Sequence, residues 1–284
     1  MPRNTKRNPS EYWFSPAPPM REIPELAYAG RYTAREATPM SAHRHDCLEI
    51  CYVERGMAEW WIERKSYTIS GGNFVFIRPH ELHGGINKIH QPCRYFYVGL
   101  RMPRGRLLHL PPAESRRLIA AVNRLPIRKF STPDQAGRLF NAVIASIGKP
   151  SGLSVIEVRA NLIQILLMLV SAGSLAKSAV RSNVVSESIK LMEANIEHPL
   201  QLDVLAGRLG WSISHLKGRF RKEMGTSPGE YYLRLRIKRA CAELRNSGAE
   251  ITSIALRLGF ASSQYFATAF KRIVGTTPRE FRVR

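Results

Sequence analysis

A chain of 284 residues is long enough for two domains of ordinary size, each burying its own core. Its four cysteines, Cys47, Cys51, Cys93 and Cys241, are too few and too scattered for a secreted disulfide scaffold and fit a reducing cytoplasm. The 43 Lys and Arg against 22 Asp and Glu leave a net charge of +21, which raises the concentration of any polyanion near the surface, nucleic acid first.

That excess is only mildly localised: from Arg181 onward 18 basic residues face 9 acidic ones, leaving 25 and 13 before it. The chain opens with MPRNTKRNPSEYWFSPAPPMR, basic and rich in proline but without the continuous apolar run of a secretory signal, so residues 1–29 are expected to form an extended arm. From about residue 30 to residue 100 short β-prone runs, LEICYV, AEWWIE and FVFI, are separated by Gly56, Gly71-Gly72 and Pro79, which predicts a barrel or sandwich.

Within these strands lies His43-Arg44-His45-Asp46-Cys47-Leu48-Glu49, followed after six residues by Gly56. The spacing His-x-His-x3-Glu-x6-Gly resembles the first cupin motif, and Pro79-His80-Glu81-Leu82-His83, ahead of Asn87, partly resembles the second, with Glu81 where a glycine is usual. On an extended strand His43, His45 and Glu49 share parity and project to one face, with His83 arriving from a later strand. Three imidazoles and a carboxylate converging inside a barrel can hold a divalent metal such as Zn, Fe, Mn or Ni. The other reading makes them satisfied pocket histidines. Cys47 and Cys51 fall on the same parity, as further ligands or small apolar fillers. Trp61, with Trp60, Tyr52 and Tyr67, offers aromatic faces suited to a sugar or an aromatic acid, although such residues in strands commonly pack as core.

From Pro133 the period becomes helical, with Leu139, Val143 and Ile147 on one stripe and Ile156, Leu162, Ile165, Leu166 and Leu169 on the next. The apolar run Asn161 to Val170 is too short to span a bilayer and reads as part of a packed helix, so no membrane is expected. Residues 30–171 thus form one predicted domain. Residues 172–186, small and polar, form a linker, and 187–284 a helical domain.

The helical domain repeats itself. Leu205-Ala206 aligns with Ile254-Ala255 and Leu209-Gly210-Trp211 with Leu258-Gly259-Phe260 at an offset of 49, which becomes 50 beyond the glycine, where Phe220 meets Phe270, Gly225 meets Gly275 and Pro228 meets Pro278. Alanine followed four residues later by glycine, and then by a helix with a buried i, i+4 face (Leu216 and Phe220; Phe266 and Phe270), is what a helix-turn-helix demands. The alanine lets the helices approach, and the glycine takes positive φ at the turn. Each copy ends in an S/T-x-x-E capping box with proline at the first helical position, at Ser227 and at Thr277. A helix from Ser227 to Asn246 spans about 30 Å at about 1.5 Å per residue, close to the roughly 34 Å between successive major-groove faces.

On these residues, from about Leu202 to Phe281, the chain resembles the tandem helix-turn-helix domain of the AraC/XylS family of bacterial transcription regulators; the second copy, IALRLGFASSQYFATAFKRIVGTTPREFR, matches nearly throughout. The resemblance implies a two-domain α+β regulator. Its N-terminal antiparallel, cupin-like β-barrel is followed by two helices, and its all-α C-terminal domain carries two helix-turn-helix motifs joined by a long helix. It further implies that Ser214, His215 and Lys217 in the first reading helix, and Ser263, Gln264 and Thr268 in the second, reach bases or phosphates, and that Gly218 replaces a longer polar side chain. Arg219, Arg221 and Lys271 are assigned to phosphates, which position without specifying. Promoter DNA, RNA polymerase, a homodimer paired through the sensor helices and a small effector touching His43, His45, Glu49, Trp61 and His83 complete the expectation. A cupin metalloenzyme is the rival class, but it leaves the repeated tail without a role.

Overall fold

The computed structural model describes residues 21–103, 105–125, 128–131, 135–149, 151–175 and 183–283. Residues 1–20 of the expected arm, 176–182 of the expected linker and Pro133 lie outside the described residues. The described residues pack as two units, one holding 21–34, Ala42–Ile86 and 93–175, the other holding Arg35–Ser41, Asn87–Pro92 and the helical tail from 183.

The first unit is built around one antiparallel sheet. β1 (Leu26–Thr33), β8 (Cys93–Leu100), β3 (Leu48–Ile62), β5 (Asn73–Ile77) and β9 (Lys129–Ser131) lie side by side in that order, while β4 (Lys65–Ser70) and β6 (His83–Gly85) pair with the far half of β3. The fifteen-residue β3 therefore serves two sheet portions, and a register shift between Val53 and Arg55 turns it from one to the other. A short ladder of β2 (Thr38–Pro39) with β7 (Ile89–His90) groups with the helical unit.

Alternation along β3 sorts the two faces. Leu48, Ile50 and Tyr52 join Phe74, Phe76, Phe96 and Val98 in a core against α1 (Pro112–Asn123), α2 (Ala136–Gly148) and α3 (Ser154–Leu175). Glu49, Cys51 and Val53 face the opposite way, into the curl of the sheet. Two helices were expected after the barrel and are α2 and α3; α1 and the three-residue β9 are additional. At 22 residues α3 is long and apolar enough, by length and composition, to cross a membrane, although its ten-residue apolar run alone is not. It packs Val158, Leu162, Ile165, Leu166 and Leu169 fully into the core of this unit instead.

The second unit has two hydrophobic clusters joined by one helix. α4 (Asn183–Ala194), α5 (Leu202–Arg208) and α6 (Ile213–Met224) enclose Leu205, Ala206, Leu216 and Phe220 together with Tyr232 from the start of α7 (Pro228–Asn246). The far half of α7 supplies Ile237, Ala240 and Leu244 to α8 (Ile251–Arg257), α9 (Ser263–Val274) and α10 (Pro278–Arg282). The nineteen residues of α7 span about 28 Å. Ala206 and Ala255 are buried at the helix crossings, and Gly210 and Gly259 take φ of +68° and +70° at the turns, as the repeat requires.

One expected cap forms fully and the other by half. Thr277 and Glu280 exchange both bonds of the capping box, whereas Ser227 accepts from the Glu230 amide without the reciprocal bond. The Glu230 carboxylate binds Arg234 (3.1 Å) and Arg272 (3.0 Å) instead, because two guanidiniums outbid one amide.

Candidate functional site

The two helix-turn-helix lobes each present the N-terminal turn of their second helix. Ser212 caps α6 by accepting from His215 N at 3.2 Å, and Ser262 caps α9 by accepting from Tyr265 N at 3.1 Å. With Leu216 and Phe220, or Phe266 and Phe270, fully buried, the outer face of α6 displays Ser214, His215, Lys217 and Arg221, all exposed, and that of α9 displays Gln264, Thr268 and Lys271, with Ser263 half-buried. Arg219 is exposed but ion-paired to Glu223 one turn on. The basic supply of α9 is smaller than its sequence implies, since Arg272 is held by Glu230. Gly218 leaves a gap on the surface of α6, with nothing within 4 Å of where a Cβ would stand.

Two aromatic residues at these tips escaped the sequence reading. Trp211 stacks on His215 with ring centroids 3.9 Å apart and planes within 13°, which fixes the imidazole at the start of α6. At the equivalent place in the second lobe Tyr265 is 52% exposed beside the buried Phe260. The signal for Tyr265 was the repeat itself, because it aligns with His215 at the offset of 50, whereas Trp211 aligns with the buried Phe260 at 49.

In the sensor unit the cupin-like residues gather, but not by strand parity. β3 begins only at Leu48; His43 forms an isolated bridge to His83, and His45 sits in the irregular stretch between them and β3. The donor atoms of His45, Glu49 and His83 lie within 4.8 Å of one another. His45 Nε2 stands 3.0 Å and His83 Nε2 3.5 Å from the same Glu49 Oε2. The other ring nitrogens face backbone carbonyls, His45 Nδ1 that of Cys47 at 2.9 Å and His83 Nδ1 that of Glu81 at 3.0 Å. His43 lies outside this trio: it is exposed, with its ring centroid 4.2 Å from that of His83 and 6.2 Å from that of His45.

Electrostatics couple the trio. Burial disfavours a charged His45, but hydrogen bonds to Cys47 and Glu49 outweigh it and raise its pKa to about 10. Burial likewise opposes a Glu49 carboxylate, and His45 with His83 overrides it, bringing the pKa to about 2. Cys51 is buried beside Glu49, and burial with that carboxylate pushes its thiol well up. Cys47 Sγ lies 3.6 Å from His45 Nδ1.

The aromatic lining differs from expectation by one residue. The register shift in β3 reverses parity, so Trp60 shares the inner face with Glu49 and packs on Tyr95 at 5.1 Å, with Tyr32 on the far side of Tyr95 at 5.1 Å. Trp61 points the other way, its indole over Ala42 and Gly84, where a Cβ would come within 3.3 Å of the ring. Tyr28 covers the trio, its ring 6.0 Å from that of His45. It fits there only because Gly99 lacks a side chain, as a Cβ at Gly99 would stand 2.5 Å from Tyr28 Cζ.

Known proteins share both units. A family model described as a helix-turn-helix domain matches residues 205–284, and one described as an AraC-like ligand binding domain matches residues 25–110. The chain is 27% identical over 258 residues to the HTH-type transcriptional activator RhaS of Klebsiella pneumoniae (strain 342), covering 86% of this chain and 89% of that protein. It is 28% identical over 253 residues to RhaS of Escherichia coli O6:H1, covering 84% and 86%. A solved structure of a transcriptional regulator from Chromobacterium violaceum, described by its AraC-type DNA-binding domain, is 39% identical, covers 35% of this chain and 89% of that chain, and superposes with a TM-score of 0.34. The RhaS relatives are transcription regulators, not enzymes, so the metalloenzyme reading is set aside. The two matched models, one on each unit and together spanning more than half of the chain, identify it as a member of the AraC family of DNA-binding transcription regulators, carrying an N-terminal ligand-binding domain.

Proposed function

We propose that the regulator reads two successive major grooves with α6 and α9, using α7 as the strut between them. The observation that carries this reading is the pair of exposed, polar helix tips on lobes that share one continuous nineteen-residue helix. Gln264 suits a bidentate bond to adenine and Lys217 a bond to guanine, with Ser214, His215, Ser263 and Thr268 beside them. Arg219, Arg221 and Lys271 hold phosphates. The DNA-binding domain starts with α4 and the effector domain runs from β1 to α3, so the arm of 1–29 and the link of 172–186 expected from the sequence give up their inner residues to β1, α3 and α4. Selection of duplexes from random DNA by the purified protein, followed by salt titration, tests this: a selected two-part site with a steep loss of affinity on added salt supports it, and recovery of no preferred sequence contradicts it.

The effector reading rests on His45, Glu49 and His83, with His43 at the margin and Trp61 turned off the inner face. A sugar or an aromatic acid, hydrogen-bonded by the histidines and lying on the Tyr28 ring, fits this mixture of polar and aromatic surface. The trio also fits a divalent transition metal: each Nδ1 is directed at a carbonyl, so both Nε2 atoms face one carboxylate oxygen, the outer-shell arrangement that orients imidazole ligands. Such an ion would act as a Lewis acid that fixes an oxygen of the effector.

Ile156 (63% exposed) and Leu167 (52%) on α3, with Leu153 (62%) just before it, are exposed apolar side chains that support a homodimer through that helix. Its curated relatives are named activators, so activation through RNA polymerase in the cytoplasm is the working reading.

A further inference from the structure

Away from the histidine trio, the sensor unit has a cleft of about 930 Å³ whose walls carry five cations, Arg64, Lys65, Arg78, Arg128 and Lys129, around the half-buried Tyr67. They come from three separate parts of the chain: the turn into β4 with the first residue of that strand, the residue after β5, and β9 with the residue before it. A solvated surface would spread such charges apart, and this fold brings them together.

The nearby carboxylates are already engaged. Glu63 accepts from Leu82 N at 2.7 Å, and Glu81 is gripped by both arms of Arg128 and by Arg78 N at 2.8 Å. Arg78 also donates to Leu125 O at 3.0 Å and lies 5.2 Å from the Phe76 ring centroid, with Arg128 at 5.8 Å from the same ring. Two guanidiniums thus flank one buried phenyl. Burial and the neighbouring Arg128 charge lower the Arg78 pKa, a strain that an anion would relieve. Lys129 Nζ reaches across to Thr68 O at 2.8 Å, while Arg64 and Lys65 are exposed at the rim and have no ion-pair partner among the described residues.

We infer that this cleft is a second ligand site, separate from the histidine trio, which takes a phosphorylated small molecule. The phosphate lies among Arg64, Lys65, Arg78 and Lys129, and the body of the ligand rests on Tyr67. Guanidinium and ammonium groups in a concave, partly desolvated setting favour a compact dianion, and the volume falls in the range of small-molecule sites. Glu81 joins the two sites, its carboxylate on Arg128 and its carbonyl on His83 Nδ1, so occupancy of the cleft is positioned to bear on the trio.

Calorimetric titration of the full-length protein with pyrophosphate and with glucose 6-phosphate tests the inference, with glucose as the uncharged control. Saturable binding of both phosphates, one per chain, is expected, with none for glucose. The Arg64→Ala/Lys65→Ala variant, altered only at exposed positions, should keep its unfolding midpoint and weaken both phosphates by about tenfold or more. Tyr67→Ala should weaken glucose 6-phosphate more than pyrophosphate. Absence of saturable phosphate binding overturns the inference. So does equal affinity in the double variant, which would put the phosphate elsewhere, or a double variant that loses affinity for duplex DNA when the parent shows no saturable pyrophosphate binding.

Discussion

The guanidinium of Arg236, buried on α7, donates to the carbonyl oxygen of Gly259 at 3.1 Å, in the turn of the second helix-turn-helix. The same side chain donates to Ile196 O at 3.1 Å and to His198 O, both in the segment between α4 and α5 of the first lobe. One side chain therefore ties both lobes to the strut. Arg236→Met keeps the apolar stem and removes the donor to Gly259 O and Ile196 O, while His198 O keeps the Tyr232 hydroxyl at 2.7 Å. It should destabilise the helical unit by about 2–4 kcal/mol in urea unfolding and reduce affinity for two-part DNA sites more than for single elements. A loss below about 0.5 kcal/mol would show that the lobes hold together without it.

The two turn glycines should not respond alike. Gly210→Ala meets nothing within 4 Å and carries only the strain of positive φ, about 1–2 kcal/mol. Gly259→Ala adds a Cβ 2.6 Å from Glu197 O, where backbone must shift, so its cost should exceed that of Gly210→Ala by at least about 1 kcal/mol. Paired denaturant curves decide this, and equal costs would mean that the second turn is less tightly packed than its geometry implies.

Base readers and phosphate holders separate by pattern of loss. Gln264→Ala should cost about 1–3 kcal/mol at one base position of a selected site and little when that base is changed, whereas Lys271→Ala should weaken all duplexes alike and lower the salt slope by about one. Competition binding against a panel of single-base variants reads both. A uniform loss for Gln264→Ala would move it to the phosphate class.

Gly99→Ala should expel the Tyr28 ring from its place over the trio, since the added methyl occupies the ring position. The expected outcome is a changed near-ultraviolet tyrosine signal and weaker ligand or zinc uptake with Glu49 untouched. Metal analysis of protein purified without a nickel column provides the parallel check, with Glu49→Gln lowering any metal content. An unchanged tyrosine signal would mean that the strand yields instead of the ring.

What could be seen in the sequence depended on the range of the interactions involved. The tail was legible because its determinants are local: Ala206 and Gly210 stand four residues apart, as do Ala255 and Gly259, and Ser212 and Ser262 cap the helices they precede. The trio was legible as residue types, but not in how it is assembled, because His43 belongs to a bridge with His83 and not to β3. A register shift at Val53 exchanged the roles of Trp60 and Trp61, and parity counted from Glu49 does not reveal such a shift. Glu230 lost its capping bond to Arg272, 42 residues away, and the roles of Arg236 and Gly99 depend on partners that only the fold supplies.

The most direct test of the account is a footprint of the full-length protein on a selected duplex. Two protected major-groove tracts on one face of the DNA, centred about one helical turn apart, are predicted, with binding lost when about five base pairs are inserted between them. A single protected tract, or affinity that ignores the insertion, would contradict two reading helices held at fixed spacing by α7.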